Sequence, residues 1–204
     1  MTTFGLIDYG MGNLLSVRNA LEAVGARVRV VSIGSELDEV GPLVLPGVGA
    51  FGAGMAGLKA RGFLEPLQRV VRQQGRPILG ICLGMQLFGT RGLELGDHHG
   101  LGWLGGDVVK LDSSNGQRVP HVGWNDVDGA GKLFKNIPKT SFYFVHSYHL
   151  AVSDPSVVSG RTDYGGPFVS AVEATHIFGV QFHPEKSHRY GLALLKNYVD
   201  LASV

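Results

Sequence analysis

Apolar and polar positions follow two different rhythms along this chain. Through the first ninety residues, short apolar runs alternate with stretches of helical spacing. Thr3–Asp8 reads as a strand running into DYGMGN. Asn13–Val24 (NLLSVRNALEAV) repeats apolar residues at i, i+3 and i+4 and is stopped by Gly25, which predicts a helix. Arg27–Ser32 alternates like a strand, and Pro42–Leu45 is a short apolar strand leading into PGVGAFG. Met55–Ala60 and Leu64–Gln74 have helical spacing, the second ending at Gly75. Pro77–Ile81 is a strand, and Leu83–Gly89 begins the next helix. The order βαβ–β–α–βα predicts an α/β fold built on a parallel sheet with crossovers.

After Gly92 the runs become shorter and more strand-like: Trp103–Leu111, Val119–Val127, Ser141–Ala151, Val157–Thr162, Phe168–Glu173 and Ile177–Phe182. These should extend the central sheet with antiparallel strands and add a small layer beside it. Ser187–Leu201 closes the pattern as a helix whose stripe of Tyr190, Leu194, Leu195, Tyr198 and Leu201 faces the core. Neither repeat nor linker interrupts the chain, so residues 1–204 are expected to form one domain.

Composition narrows the function classes. The 204 residues are 44% hydrophobic and 17% charged, with a formal net charge of +1, which offers no electrostatic attraction for nucleic acid or an anionic membrane. The N-terminal MTTFGLIDYG has no basic stretch followed by a long apolar run, and a single cysteine suits a reducing compartment. A cytoplasmic location is expected. Glycine, at 31 residues, is about twice its usual share and implies many turns and close backbone approaches.

That one cysteine, Cys82, sits where the predicted strand turns into the predicted helix, within GICLGMQ. A nucleophile at such an elbow is pushed out of the sheet, beside free N–H groups at a helix start that favour a thiolate and an oxyanion. Gly80 and Gly84 flank it two residues away on either side, the spacing a tight elbow needs. About a hundred residues later comes His183-Pro184-Glu185. The histidine can serve as base to the thiol, and the glutamate can hold the other ring nitrogen. A lone cysteine is ordinarily a small buried hydrophobe. Elbow and HPE together favour the catalytic reading.

With GICLGMQ and HPE in hand, the chain resembles the class I (triad) glutamine amidotransferases over essentially its full length. DYGMGN (Asp8–Asn13), LPGVGAF (Leu45–Phe51), PHVGWN (Pro120–Asn125) and YFVHSYH (Tyr143–His149) resemble one branch of them, the glutaminase subunits that serve a separate (β/α)₈-barrel cyclase. Other members usually carry a PGG-type loop and an HGD-like segment where this chain has PGVG and HSY. The resemblance implies a three-layer amidotransferase-like fold, with a mostly parallel central sheet flanked by helices and an antiparallel extension. It implies hydrolysis of glutamine to glutamate and ammonia without a cofactor, and delivery of the ammonia to the cyclase as heterodimeric partner.

By that resemblance Cys82, His183 and Glu185 are the catalytic triad. The N–H of Leu83 is the natural first oxyanion donor, and the second falls at Val48 or Gly49. Gly49, Gln86, Ser147 and Tyr148 are candidates to contact glutamine, Gln86 because it lies one helical turn beyond Cys82. Met11, Arg118, Trp124, Asn125, Tyr143 and Lys186 match positions at the cyclase interface. Gly47 and Gly49 leave the peptides around Val48 free to rotate. The resting loop is therefore expected to point a carbonyl at the site until the partner turns a donor inward. His121, His146 and His149 lie on separate strand-like runs without metal-ligand spacing, His98-His99 reads as a surface loop, and the glycines of DYGMGN make an incomplete dinucleotide fingerprint, so no metal is expected. The rival readings are the glutaminase subunit of a different amidotransferase, a regulatory module that keeps the fold without catalysis, and a free-standing amide hydrolase.

Overall fold

The computed structural model describes residues 2–203. Its opening strand β1 (Thr3–Ile7) is followed by α1 (Leu14–Ala23), β2 (Arg27–Val31), a 3₁₀ turn at Gly34–Glu39 and β3 (Leu43–Leu45). Next come α2 (Phe51–Ala60), α3 (Leu64–Leu67) widening into a π-helical turn over Gln68–Gln73, β4 (Ile78–Ile81) and α4 (Leu83–Gln86). The second half holds β5 (Arg91–Gly92), β6 (His98–His99), β7 (Gly106–Lys110), β8 (His121–Gly129), β9 (Thr140–His146) and β10 (Tyr148–Val152). It ends with β11 (Val158–Asp163), β12 (Pro167–Ala174), β13 (Ile177–Val180) and α5 (His188–Ala202).

Nine strands form one sheet in the order β2-β1-β3-β4-β13-β12-β11-β8-β9. From β2 to β13 every pairing is parallel, and from β13 to β9 every pairing is antiparallel. This is the expected parallel centre with its antiparallel extension. The remaining strands form a small sheet, β10-β7-β5-β6, beside it.

Alternation along the central strands explains the layering. Leu6, Val44, Leu79 and Ile81 face a core shared with Leu21 of α1 and Leu194, Leu195 and Tyr198 of α5. Ile7, Leu43, Leu45 and Ile78 face the opposite core, with Phe51 and Leu58 of α2, Leu67 of α3, and Val108 and Leu150 of the small sheet. A strand buried on both faces must be apolar at every position, and β3 and β4 read LVL and ILGI.

Two elements depart from the sequence pattern. The helix expected over Leu83–Gly89 is a single turn, α4, because residues 101–104 intervene. Leu101 donates to Leu87 O at 2.8 Å, Gly102 to Gly89 O at 2.9 Å, and Trp103 and Leu104 both to Phe88 O at 2.9 Å, taking the carbonyls a longer helix would use. The run Ser141–Ala151 is two strands. The chain leaves the large sheet after His146 and joins the small one at Tyr148, with Leu111 N donating to the Ser147 carbonyl at 2.9 Å. No helix among the described residues is long and apolar enough to cross a membrane.

Candidate active site

Parallel strands deliver their following loops to one edge, and four such loops meet here. β1 leads to Tyr9–Met11, β3 to Pro46–Gly49, β4 to Cys82 and β13 to His183. Cys82 has φ +53° and ψ −110°, a conformation rarely tolerated outside glycine and a mark of stored strain at a functional turn. Backbone crowding enforces it. A β-carbon at Gly84 would lie 1.8 Å from Leu45 O, so the turn packs directly onto β3 and only glycine fits.

The Cys82 residue is 5% exposed, packed against apolar neighbours on one side and open to a cavity of about 490 Å³ on the other. Its Sγ points to Val145 O at 3.9 Å and accepts from Gln181 Nε2 at 3.5 Å. His183 is buried at the start of the Pro184–Lys186 turn, its Nδ1 2.8 Å from Glu185 Oε1. Pro184 presets the turn that brings the two side chains together. His183 Nε2 has no hydrogen-bond partner, and neither does Glu185 Oε2. The Cys82 sulfur is close enough to the ring to favour its charged form. Burial disfavours the imidazolium, but the Cys82 sulfur and Glu185 outweigh it and raise His183 to about 9.

The His183 turn is tied to β9: His183 N donates to Tyr143 O at 2.8 Å, Tyr143 N to Ser187 Oγ at 3.0 Å, and Ser187 Oγ to His183 O at 2.6 Å.

Of the expected oxyanion donors, Leu83 N–H is occupied. It donates to Gly47 O at 3.3 Å, so the loop does present a carbonyl to the site. Val48, 43% exposed, and Gly49, at φ +110°, both line the cavity. Gln86, Ser147 and Tyr148 line it too. Gln86 is braced rather than free. Its Nε2 donates to Tyr148 O at 2.7 Å and to Gln181 Oε1 at 3.0 Å, and Gln181 in turn holds the sulfur.

Among the cavity residues that the sequence reading did not name as site residues, Ala50, Pro120, Val145, His146 and Glu94, the one charged group is Glu94. It is the acidic group of the wall beyond the His183 turn, and its Oε2 accepts from Phe51 N at 2.9 Å at the start of α2. Nothing in RGLELG marks it, because a loop of the small sheet carries it there.

The expected partner residues divide. Trp124 is 47% exposed, stacked on His188 at 4.8 Å with an interplanar angle of 7°, and edge-on to Tyr143. Lys186 Nζ lies 5.7 Å above the Tyr143 ring and reaches the cavity rim. Met11 is half-buried and its Cε crowds Gly49, while Arg118 is exposed. Asn125 is turned the other way, as strand alternation demands of Trp124's neighbour. Its Nδ2 donates to Asp163 O at 2.8 Å and contacts His121 Nε2 at 3.4 Å.

The histidines also find defined places. His146 Nδ1 lies 2.9 Å from Tyr148 O, which can only accept, so Nδ1 carries the proton and Nε2 is the acceptor. His121 Nδ1, 3.2 Å from that Nε2, must then be the donor. Both rings are neutral. Burial lowers His121 to about 4 and His146 to about 3, and burial also lowers His149, which packs near Phe168. Among the described residues no group of three or more histidine, cysteine or acidic side chains could hold a metal. His98 belongs to a short strand rather than a surface loop, with its ring against Gly52.

A buried imidazole held by a carboxylate, beside a strained cysteine that faces a cavity, is the arrangement of a thiol amidohydrolase. The family model for glutamine amidotransferase class-I matches residues 5–201, and the chain belongs to that family. It is 46% identical over 204 residues to imidazole glycerol phosphate synthase subunit HisH of Moorella thermoacetica, covering 98% of this chain and 96% of that one. It is 45% identical to the subunit of the same name from Desulfitobacterium hafniense, covering 95% and 92%. A crystal structure of a glutamine amidotransferase superposes with a TM-score of 0.79 at 18% identity, covering 98% of this chain and 99% of the other, which supports the fold.

Proposed function

We propose that the chain is the glutaminase subunit of an imidazole glycerol phosphate synthase, acting in the cytoplasm in histidine biosynthesis. The observation that carries this reading is the strained Cys82 facing the cavity beside the buried His183–Glu185 pair. The HisH-named relatives supply the acceptor reaction.

In this reading Cys82 attacks the side-chain carbonyl of glutamine as a thiolate, and His183 takes the thiol proton and passes it to the departing ammonia. Water activated by His183 then cleaves the γ-glutamyl thioester to glutamate. Glu185 stays charged and steadies the imidazolium. Glu94 offers the carboxylate that an α-ammonium group needs, with Gly49, Gln86, Ser147 and Tyr148 shaping the rest of the pocket.

Leu83 N–H cannot serve an oxyanion while it is given to Gly47 O. Turning the Gly47–Val48 peptide would free it and bring Val48 N–H inward, completing the pair of donors. The Trp124–Tyr143–Lys186 face is the docking surface for the cyclase subunit in this proposal. Tyr143 is bonded through its backbone to the His183 turn, giving the partner a mechanical route to the site. The cyclase would use the ammonia with phosphoribulosyl-formimino-aminoimidazole carboxamide ribonucleotide to give imidazole glycerol phosphate and aminoimidazole carboxamide ribonucleotide.

The test is co-purification with that cyclase, followed by glutaminase assay with and without the cyclase substrate. Stimulation by partner and substrate is expected. Glutamine turnover indifferent to the cyclase would favour a free-standing amide hydrolase. Failure of a glutamine-analogue electrophile to label Cys82 would favour a non-catalytic module.

A further inference from the structure

The Tyr9 side chain is 2% exposed and its hydroxyl has no hydrogen-bond partner. Tyr198, equally buried, shows the normal outcome: its hydroxyl donates to Leu43 O at 2.7 Å. A buried hydroxyl left unbonded destabilises the state that contains it, and phenylalanine would fill the same space without that cost. The Tyr9 oxygen therefore serves a state other than this one.

Its surroundings identify that state. Tyr9 follows β1 at the loop edge, and its hydroxyl lies against Gly47. A β-carbon on Gly47 would sit 2.1 Å from the Tyr9 oxygen, 3.0 Å from Leu83 Cβ and 3.3 Å from Gly84 N. The oxygen thus lies close beside Gly47, whose carbonyl now accepts from Leu83 N at 3.3 Å. Burial, and then the charge of Cys82, push the phenol far above its ordinary pKa, so it remains a proton donor. When the Gly47–Val48 peptide turns, the Gly47 carbonyl leaves Leu83 and needs a new donor.

Resting on the function proposed above, we infer that Tyr9 is a positioning residue whose hydroxyl donates to Gly47 O in the turned loop and so holds the oxyanion site open. The resting structure keeps this donor unsatisfied, and the active one satisfies it.

The variant Tyr9→Phe, made in the full chain and assayed with the cyclase subunit, tests this. The isolated variant should melt a few degrees above the wild type. In the complex, kcat for glutamine hydrolysis should fall about five- to tenfold with KM unchanged, the effect of one lost hydrogen bond. Alkylation of Cys82 by iodoacetamide builds no oxyanion, so its rate should not change. A lower Tm, an unchanged kcat, or a parallel fall in alkylation would each overturn the assignment. A wild-type complex without glutaminase activity would instead remove the function on which it rests.

Discussion

The backbone N–H of Leu83 points at the carbonyl oxygen of Gly47, 3.3 Å away. At that length the bond is weaker than the usual 2.9–3.0 Å contact and is readily surrendered. It occupies the donor that follows Cys82, and the peptide providing the carbonyl begins at a glycine, Gly47, with a second glycine one residue beyond it at Gly49. In the proposed gate, this one contact both blocks the donor and gives it up readily.

Gly49→Ala probes that loop more cleanly than Gly47→Ala. Alanine at 47 would collide with Tyr9 and Leu83 in the resting loop, whereas at 49 it meets only the far end of Met11, 2.7 Å away. Gly49 has φ +110°, so alanine there penalises the resting backbone by about 1–2 kcal/mol. The ratio of glutaminase turnover with the cyclase to turnover without it should shrink about tenfold. An unaltered ratio would mean that this loop is not the gate.

Glu185→Gln removes the charge that holds the His183 ring. With the proton placement on Nδ1 no longer fixed, kcat should fall on the order of 10²-fold. The pH profile gives the sign. His183 is raised to about 9, so the imidazolium that protonates departing ammonia is present below that pH and lost as pH rises through it. In the wild type, activity should decline on the alkaline side near 9, and in Glu185→Gln that limb should move to lower pH. A limb that stays in place would separate Glu185 from the histidine's titration.

Legibility in the sequence followed the range of the interactions. The elbow at Cys82 and the His183–Glu185 pair are encoded by residues within four positions of one another, so GICLGMQ and HPE were enough to find them. The parallel strands were legible because burial on both faces leaves uninterrupted apolar runs. The one-turn α4, the sheet exchange at Ser147 and the arrival of Glu94 depend on backbone partners far along the chain. Asn125 lies on the opposite face of β8 from Trp124, toward His121, an orientation that strand alternation sets and a short motif does not display.

Glu94→Gln keeps an acceptor for Phe51 N but removes the negative charge from the cavity wall. A charge-assisted contact contributes about 1.5–3 kcal/mol, so KM for glutamine should rise about 10- to 100-fold with kcat little changed. A steady-state assay over a wide glutamine range checks it. A fall in kcat at unchanged KM would place Glu94 in the chemistry rather than in binding.

Trp124→Ala removes the most exposed aromatic of the proposed docking face and its stack on His188. Anchors of this kind contribute about 2 kcal/mol or more, so the dissociation constant for the cyclase should rise at least about 30-fold. Asn125→Ala, altering an inward-facing side chain, should change affinity far less. Equal effects from the two variants, measured by titration calorimetry, would show that the partner does not read the Trp124 side of β8.

The neutral pair His121–His146 makes the fold sensitive to mild acid. In the folded chain the rings hold out against protonation down to about 4 and about 3, while in the unfolded chain they titrate near 6.5. Between those limits the unfolded state binds more protons, so stability declines as pH falls, by up to about 1.4 kcal/mol per pH unit for each ring. Asp8 and Asp112 add losses of the same sign at lower pH. Their carboxyls lie below the ordinary value, Asp8 because bonds from Gly10 and Arg61 outweigh burial and Asp112 through bonds from Ser114, so their stabilisation is lost only as pH drops below about 4. Urea unfolding at pH 7, 5.5 and 4.5 should therefore show a steep loss in the wild type before the carboxylates titrate. In His121→Asn the slope over that window should flatten even if the variant starts out less stable. A wild-type midpoint that stays constant from pH 6.5 to 4.5 would refute the buried neutral pair.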